Sequence, residues 1–277
     1  MSYKTILTHI DQARNMEVRT EIACKIAQAE AAHVIGVVPV GISHYFFENK
    51  SAPNALEPAV ATYLSKLRAD AEVAAKHFED ALRRKGLASC ETHVTEDDAF
   101  GSLERRLRYC DLSILGQYDP DTSHNPMNSS LVEDVLLGGG GPALIVPRNA
   151  RSAEIDRRVL IAWNGSVEAR RAVRDALPLL KRAESVQVAV FTPDAQGDEP
   201  GVSLQRFLKR HGVQVGLITQ KATNRDSDDA LLTVLDDMKA DLMVMGCYGH
   251  SRFQETILGG VTRAVLRSMP VPVFMSH

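Results

Sequence analysis

The chain predicts an α/β protein made of two tandem, doubly wound domains, each built on a five-stranded parallel sheet. Three observations carry that expectation. Short apolar runs alternate with amphipathic helical segments, the alternation occurs twice at fixed offsets, and apolar runs such as Leu242-Met243-Val244-Met245 are continuous. Continuous runs are what strands covered by helices on both faces require. The 277 residues suit two domains of about 130–150 residues each.

The first strand, Ile6-Leu7-Thr8-His9-Ile10-Asp11, precedes a helical stretch over 14–32. Its match, Val159-Leu160-Ile161-Ala162-Trp163-Asn164, lies 153 residues later and precedes a helix over 167–182. Downstream, Asp111-Leu112-Ser113-Ile114-Leu115-Gly116 matches Asp241-Leu242-Met243-Val244-Met245-Gly246 at offset 130. That offset persists to Pro142-Ala143-Leu144-Ile145 against Pro272-Val273-Phe274-Met275. The repeats therefore span 1–149 and 156–277, joined by the polar segment Arg148 to Glu154. The shrinking offset assigns the extra residues of the first repeat to a long loop around Gly41 to Tyr63, which carries Pro53 and Pro58. A helix follows, with Val60, Leu64, Leu67, Ala71, Ala74, Phe78 and Leu82 at helical spacing and Gly86 as its stop. In the second repeat strands are expected at about 158–164, 185–191, 213–219, 241–246 and 271–275. Helices are expected at about 167–182, 202–211, 226–239 and 260–268.

Composition excludes several classes. Hydrophobic residues at 44% and charged residues at 24% are ordinary for a globular chain. With 32 basic against 35 acidic residues there is no surplus to offset nucleic-acid phosphates, so no nucleic-acid partner is expected. No run of about 18 apolar residues occurs, which excludes a membrane-spanning helix. Lys4 and Asp11 flank the first apolar run, which reads as a strand rather than a secretory signal, and a cytoplasmic protein is expected. The four cysteines lack CxxC spacing and fit a reducing compartment. The nine histidines form no metal-ligand spacing, and no metal site is expected.

In a doubly wound sheet, ligands bind beyond the carboxyl ends of the strands where strand order reverses. The loop after the fourth strand of the second repeat reads Gly246-Cys247-Tyr248-Gly249-His250-Ser251-Arg252, and Gly259-Gly260 opens the last helix. Glycines allow close backbone approach, and a helix N-terminus adds free N–H donors and a positive dipole end. Together they make an anion cradle without a P-loop lysine. A turn-shaping role alone is the simpler reading of Gly246 and Gly249 taken by themselves.

The whole pattern, Gly246-x2-Gly249-x9-Gly259 within a doubled five-strand domain, resembles the nucleotide-binding motif of the universal stress protein family in its tandem form. The run Asp241 to Gly246, the ending Val271-Pro272-Val273 and the segment Val159 to Ser166 support the resemblance. It implies a Rossmann-like or flavodoxin-like sheet of order 3-2-1-4-5 and an adenine nucleotide ligand: ATP, or AMP or ADP, with Mg2+ only as its counter-ion. The phosphate contacts it implies fall on Gly246, Gly249, Gly259, Gly260, Val261 and Thr262. The adenosine contacts fall on Ala162, Trp163 and Asn164, with backbone near Val190 supporting the base, and Met245 is a further nucleotide contact. Two residues depart from the family pattern: Gly260 stands where a hydroxyl residue is usual, and Asn164 where Asp is usual. His250, Arg252 and Arg263 could reach phosphate or lie in solvent. Cys247 could be redox-sensitive if exposed, but a thiol after a buried strand is more often inert.

The expected function is a stress-response switch or regulator that holds an adenine nucleotide in its second repeat. The alternatives are an interaction scaffold without nucleotide and a slow adenine-nucleotide hydrolase. Hydrolysis is disfavoured, since no Walker lysine and no cluster of Asp or Glu appears, and no catalytic residue is assigned. The first repeat is expected to be degenerate: at offset 130, Asp119 replaces Gly249, while Ser129 and Ser130 replace Gly259 and Gly260. The apolar last strands, Ala143 to Val146 and Val271 to Met275, are expected to pair the two repeats into an intrachain pseudo-dimer. Association into a homodimer is left open.

Overall fold

A computed structural model describes residues 2–41, 58–121, 129–192, 200–221, 227–248 and 260–277. The first repeat runs β1 (Thr5–His9), α1 (Met16–Glu30), β2 (His33–Pro39), α2 (Pro58–Arg84), β3 (Cys90–Thr95), α3 (Ala99–Leu107), β4 (Leu112–Gly116), α4 (Leu131–Gly138) and β5 (Ala143–Val146). The second runs β6 (Arg158–Trp163), α5 (Val167–Asp175), α6 (Leu177–Leu180), β7 (Ser185–Thr192), α7 (Pro200–Arg210), β8 (Val215–Lys221), α8 (Ser227–Met238), β9 (Leu242–Gly246), α9 (Gly260–Ser268) and β10 (Val273–Ser276).

The chain forms two compact units, Tyr3–Gly141 and Pro142–His277. In the first, strand order is β3-β2-β1-β4, all parallel. In the second, it is β8-β7-β6-β9-β10, again parallel, which is the order 3-2-1-4-5 counted within the repeat. A further strand joins that sheet beside β10. β5 pairs antiparallel with β10, Leu144 facing Phe274 in register. The sequence repeat ends at 149, yet its last strand belongs by contact to the second unit. Apolar edge strands gain hydrogen bonds and burial by pairing, and Ala143 to Val146 are all fully buried.

The cores are aliphatic. Val159, Leu160, Ile161, Leu242, Met243, Val244, Val273 and Phe274 are all fully buried, as continuously apolar strands between helix layers must be. On α2 the buried seam runs Leu64, Ala71, Ala75, Phe78 and Leu82, and Gly86 ends the helix at φ 85.

Two expectations need correction. The stretch 167–182 is two helices, α5 and α6, divided at Ala176, because Pro178 in the first turn of α6 has no N–H to continue the ladder. The loop placed around Gly41 to Tyr63 is already helical from Pro58, a residue tolerated in a first helical turn; its remainder, 42–57, lies outside the described residues.

Candidate functional site

β6 is flanked by β7 on one side and β9 on the other, so strand order reverses at its carboxyl end. Register places Ala162 beside Met245 and Trp163 beside Val190, while Gly246 pairs with Ser276 of β10. Ala162, Met245, Gly246, Trp163 and Val190 are thus gathered at the ends of three adjacent strands. Alternation sends Ala162 and Trp163 to opposite faces. Trp163 lines a cavity between α5–α6 and α7 that contains none of the other expected contacts.

The turn after β6 is fixed locally. Gly165 adopts φ 77, a conformation that suits glycine. The Ser166 N–H donates to Asn164 Oδ1 at 3.0 Å, and the Ala169 N–H donates to Ser166 Oγ at 3.1 Å, which caps α5. Asn164 is exposed with its amide oxygen committed to the turn, so its NH2 group is what remains to meet a ligand hydroxyl.

Gly246 has a structural reason to be glycine. A Cβ there would stand 2.3 Å from the Ala169 nitrogen and 2.6 Å from the Glu168 carbonyl carbon, so α5 could not approach β9. Beyond it, the Cys247 N–H donates to the Ser276 carbonyl at 3.1 Å. Tyr248, at φ 53, sets its ring edge-on to His277 with centroids 6.4 Å apart. Burial pushes the Cys247 thiol up to about 12, and the Glu168 carboxylate adds to the shift. Such a thiol is inert at neutral pH. Gly260 is the first residue of α9, Val261 is half-buried, and Thr262 is buried in the first helical turn. Gly249, Gly259, His250 and Arg252 lie outside the described residues.

The first repeat fills the matching position differently. Asp11 aligns with Asn164, Arg19 with Ala172 and Gly116 with Gly246. Arg19 is fully buried; its Nη1 donates to the His9 carbonyl at 2.8 Å and its Nη2 to Asp11 Oδ1. A Cβ on Gly116 would meet the Arg19 guanidinium carbon at 3.2 Å, so here glycine makes room for a side chain rather than for a helix. Burial opposes ionisation of Asp11, but Arg19, His9 and the Ala13 N–H together hold its carboxyl below the usual range. His9 lies with Nδ1 3.5 Å from Asp11 Oδ2, and desolvation lowers its pKa to about 4 despite that carboxylate. Asp119, in the register of Gly249, is buried and accepts the Asp121 N–H at 3.1 Å. The Ser130 hydroxyl donates to Asp134 at 2.7 Å.

Residues 157–277 match the model of the Universal stress protein family. The second repeat belongs to that family. A curated relative, the universal stress protein Slr1230 of Synechocystis sp., is 26% identical over 152 residues, 51% of this chain. The chain spans about half, 49%, of that relative's length. Among solved structures, a universal stress protein from Archaeoglobus fulgidus aligns over 98% of this chain and 95% of its own, with TM-score 0.71 and 16% identity. A functionally unknown protein from Pseudomonas aeruginosa aligns over 99% and 92%, with TM-score 0.58 and 16% identity. At that identity these likenesses concern the fold.

Two features of the fold escaped sequence reasoning. One is the His9–Asp11–Arg19 cluster, whose signal was an arginine at a buried helical position aligned with Ala172. The other is the basic set of Arg170 and Arg174 on α5 and Lys181 just after α6, which line one cavity with the only tryptophan.

Proposed function

We propose that the chain is a cytoplasmic stress-response regulator that holds one adenine nucleotide, ATP or its relatives AMP and ADP, in its second repeat. The carrying observation is the convergence of Ala162, Met245 and Gly246 at the strand-order reversal, in a repeat whose sequence continues to the helix opening Gly260-Val261-Thr262. Free N–H groups at that helix start suit an anionic phosphate, and Mg2+ enters only as counter-ion. Asn164 supplies a neutral donor to ribose where a carboxylate would accept, which favours modest affinity. In the first repeat the equivalent carboxylate, Asp11, is engaged by Arg19, and Asp119 is an acid in the register of a motif glycine. Both oppose a second nucleotide, and a switch with one site follows.

Holding rather than hydrolysing fits a site with no Walker lysine and no assigned base, so the reading is not an enzyme. Pairing of β5 with β10 supports an intrachain pseudo-dimer of the two repeats. Mass analysis of small molecules released on denaturing the purified protein tests the reading. An adenine nucleotide near one equivalent per chain is expected. A chain that carries none and binds none on addition is a scaffold, and sustained ATP turnover would make it a hydrolase.

A further inference from the structure

The cavity lined by Trp163 includes none of the other strand-end residues. It occupies about 500 Å³ between α5–α6 and α7, within the range of small-molecule sites. Arg170, Arg174 and Lys181 form one wall at i, i+4 and i+11 spacing, and His211 closes the other side. Its apolar lining is Trp163, Val173, Leu177, Leu204 and Phe207, and among the described residues no carboxylate lines it.

The charges are arranged at a cost. Arg170 and Arg174 are like-charged neighbours one helical turn apart, a pairing that weakens a helix unless an anion bridges it. Neither makes an ion pair among the described residues, whereas Arg157 and Arg182, nearby in sequence, reach Glu184 and Asp156. The indole N–H of Trp163 is shielded from solvent and has no acceptor among the described residues. Buried donors are normally satisfied, so this one marks a place for an acceptor. Phe207 is 37% exposed and its ring lies 4.5 Å from that of His211, leaving an aromatic face at the mouth.

We infer that this groove binds an amphipathic organic anion, its headgroup on Arg170 and Arg174 and its apolar body along Val173, Leu177, Leu204 and Phe207. Guanidinium groups suit sulfonate, carboxylate and phosphate oxygens alike. The apolar lining offers contact area that a small inorganic anion on the two guanidinium groups would leave unused. The site is separate from the proposed nucleotide site.

The probe is 8-anilinonaphthalene-1-sulfonate, with N-phenyl-1-naphthylamine as its uncharged analogue. Trp163 is the only tryptophan and lines this groove, so quenching of its emission with energy transfer reports probe bound near it, and the arginine variants and ATP competition localise that probe to the groove. The sulfonate is expected to bind one per chain and to survive saturating ATP. Arg170→Gln with Arg174→Gln should weaken it by about tenfold or more while leaving the neutral amine unchanged. Both arginines are exposed, and an unchanged circular dichroism spectrum confirms folding of the variant. Equal binding of the two probes, an unaffected double variant, displacement by ATP or no binding would each overturn the inference.

Discussion

Arg19 and Asp11 form an ion pair at the carboxyl end of β1, with the guanidinium fully buried and also donating to the His9 carbonyl. A buried pair is costly to assemble and more costly to break, because removal of one partner strands the other. Arg19→Met should therefore destabilise the chain by about 3–5 kcal/mol, read as a lowered urea midpoint. Asp11→Asn should cost less, since an amide still accepts from Arg19. Equal stability of Arg19→Met and the parent would mean that the pair holds nothing.

The same cluster sets a pH dependence. The pKa of His9 falls from 6.5 to about 4 on folding, so between those values the unfolded chain binds a proton that the folded chain does not. Stability should thus fall as pH drops from about 6.5 to 4, by about 3 kcal/mol in all. Asp11, whose pKa is depressed, adds a further loss below the ordinary carboxylate range. His9→Gln should flatten the slope between pH 6.5 and 4 in urea titrations. An unchanged slope would place the titration elsewhere.

Gly246 and Gly249 should separate. Gly246→Ala forces a Cβ against the backbone of α5 and should cost about 1–3 kcal/mol of stability. Gly249→Asp should leave the unfolding midpoint unchanged and abolish ATP binding by setting a carboxylate against phosphate. If Gly249→Asp keeps the parent's affinity, the nucleotide site lies elsewhere.

Cys247 should resist alkylation in the folded protein. Its thiol is buried and its pKa is about 12, so maleimide labelling followed by peptide mass analysis should mark it only after denaturation. A native-state adduct at Cys247 would restore a redox role.

The parallel strands were legible because a strand buried on both faces must be apolar throughout, as in Leu242 to Met245. Helix ends were legible where glycine punctuated the pattern, as at Gly86. The break at Ala176 was less visible, since one proline in an apolar run also fits a continuing helix start. β5 illustrates a different limit: Ala143 to Val146 announced an edge strand that needed a partner, but register against Phe274 is a tertiary property. The candidate site was legible as a motif and not as a geometry. Nothing in the spacing reveals that Gly246 makes room for Ala169, that Trp163 turns away from Ala162, or that Arg19 is buried. An arginine on an amphipathic helix is ordinarily solvated, and only its alignment with Ala172 hints otherwise.

Isothermal titration of nucleotide-free protein with ATP tests the central claim, that one nucleotide is held by the second repeat alone. A stoichiometry near one per chain, lost in Gly249→Asp and kept in Asp119→Gly, is the predicted result. A stoichiometry near two, or one site that survives Gly249→Asp, would contradict it.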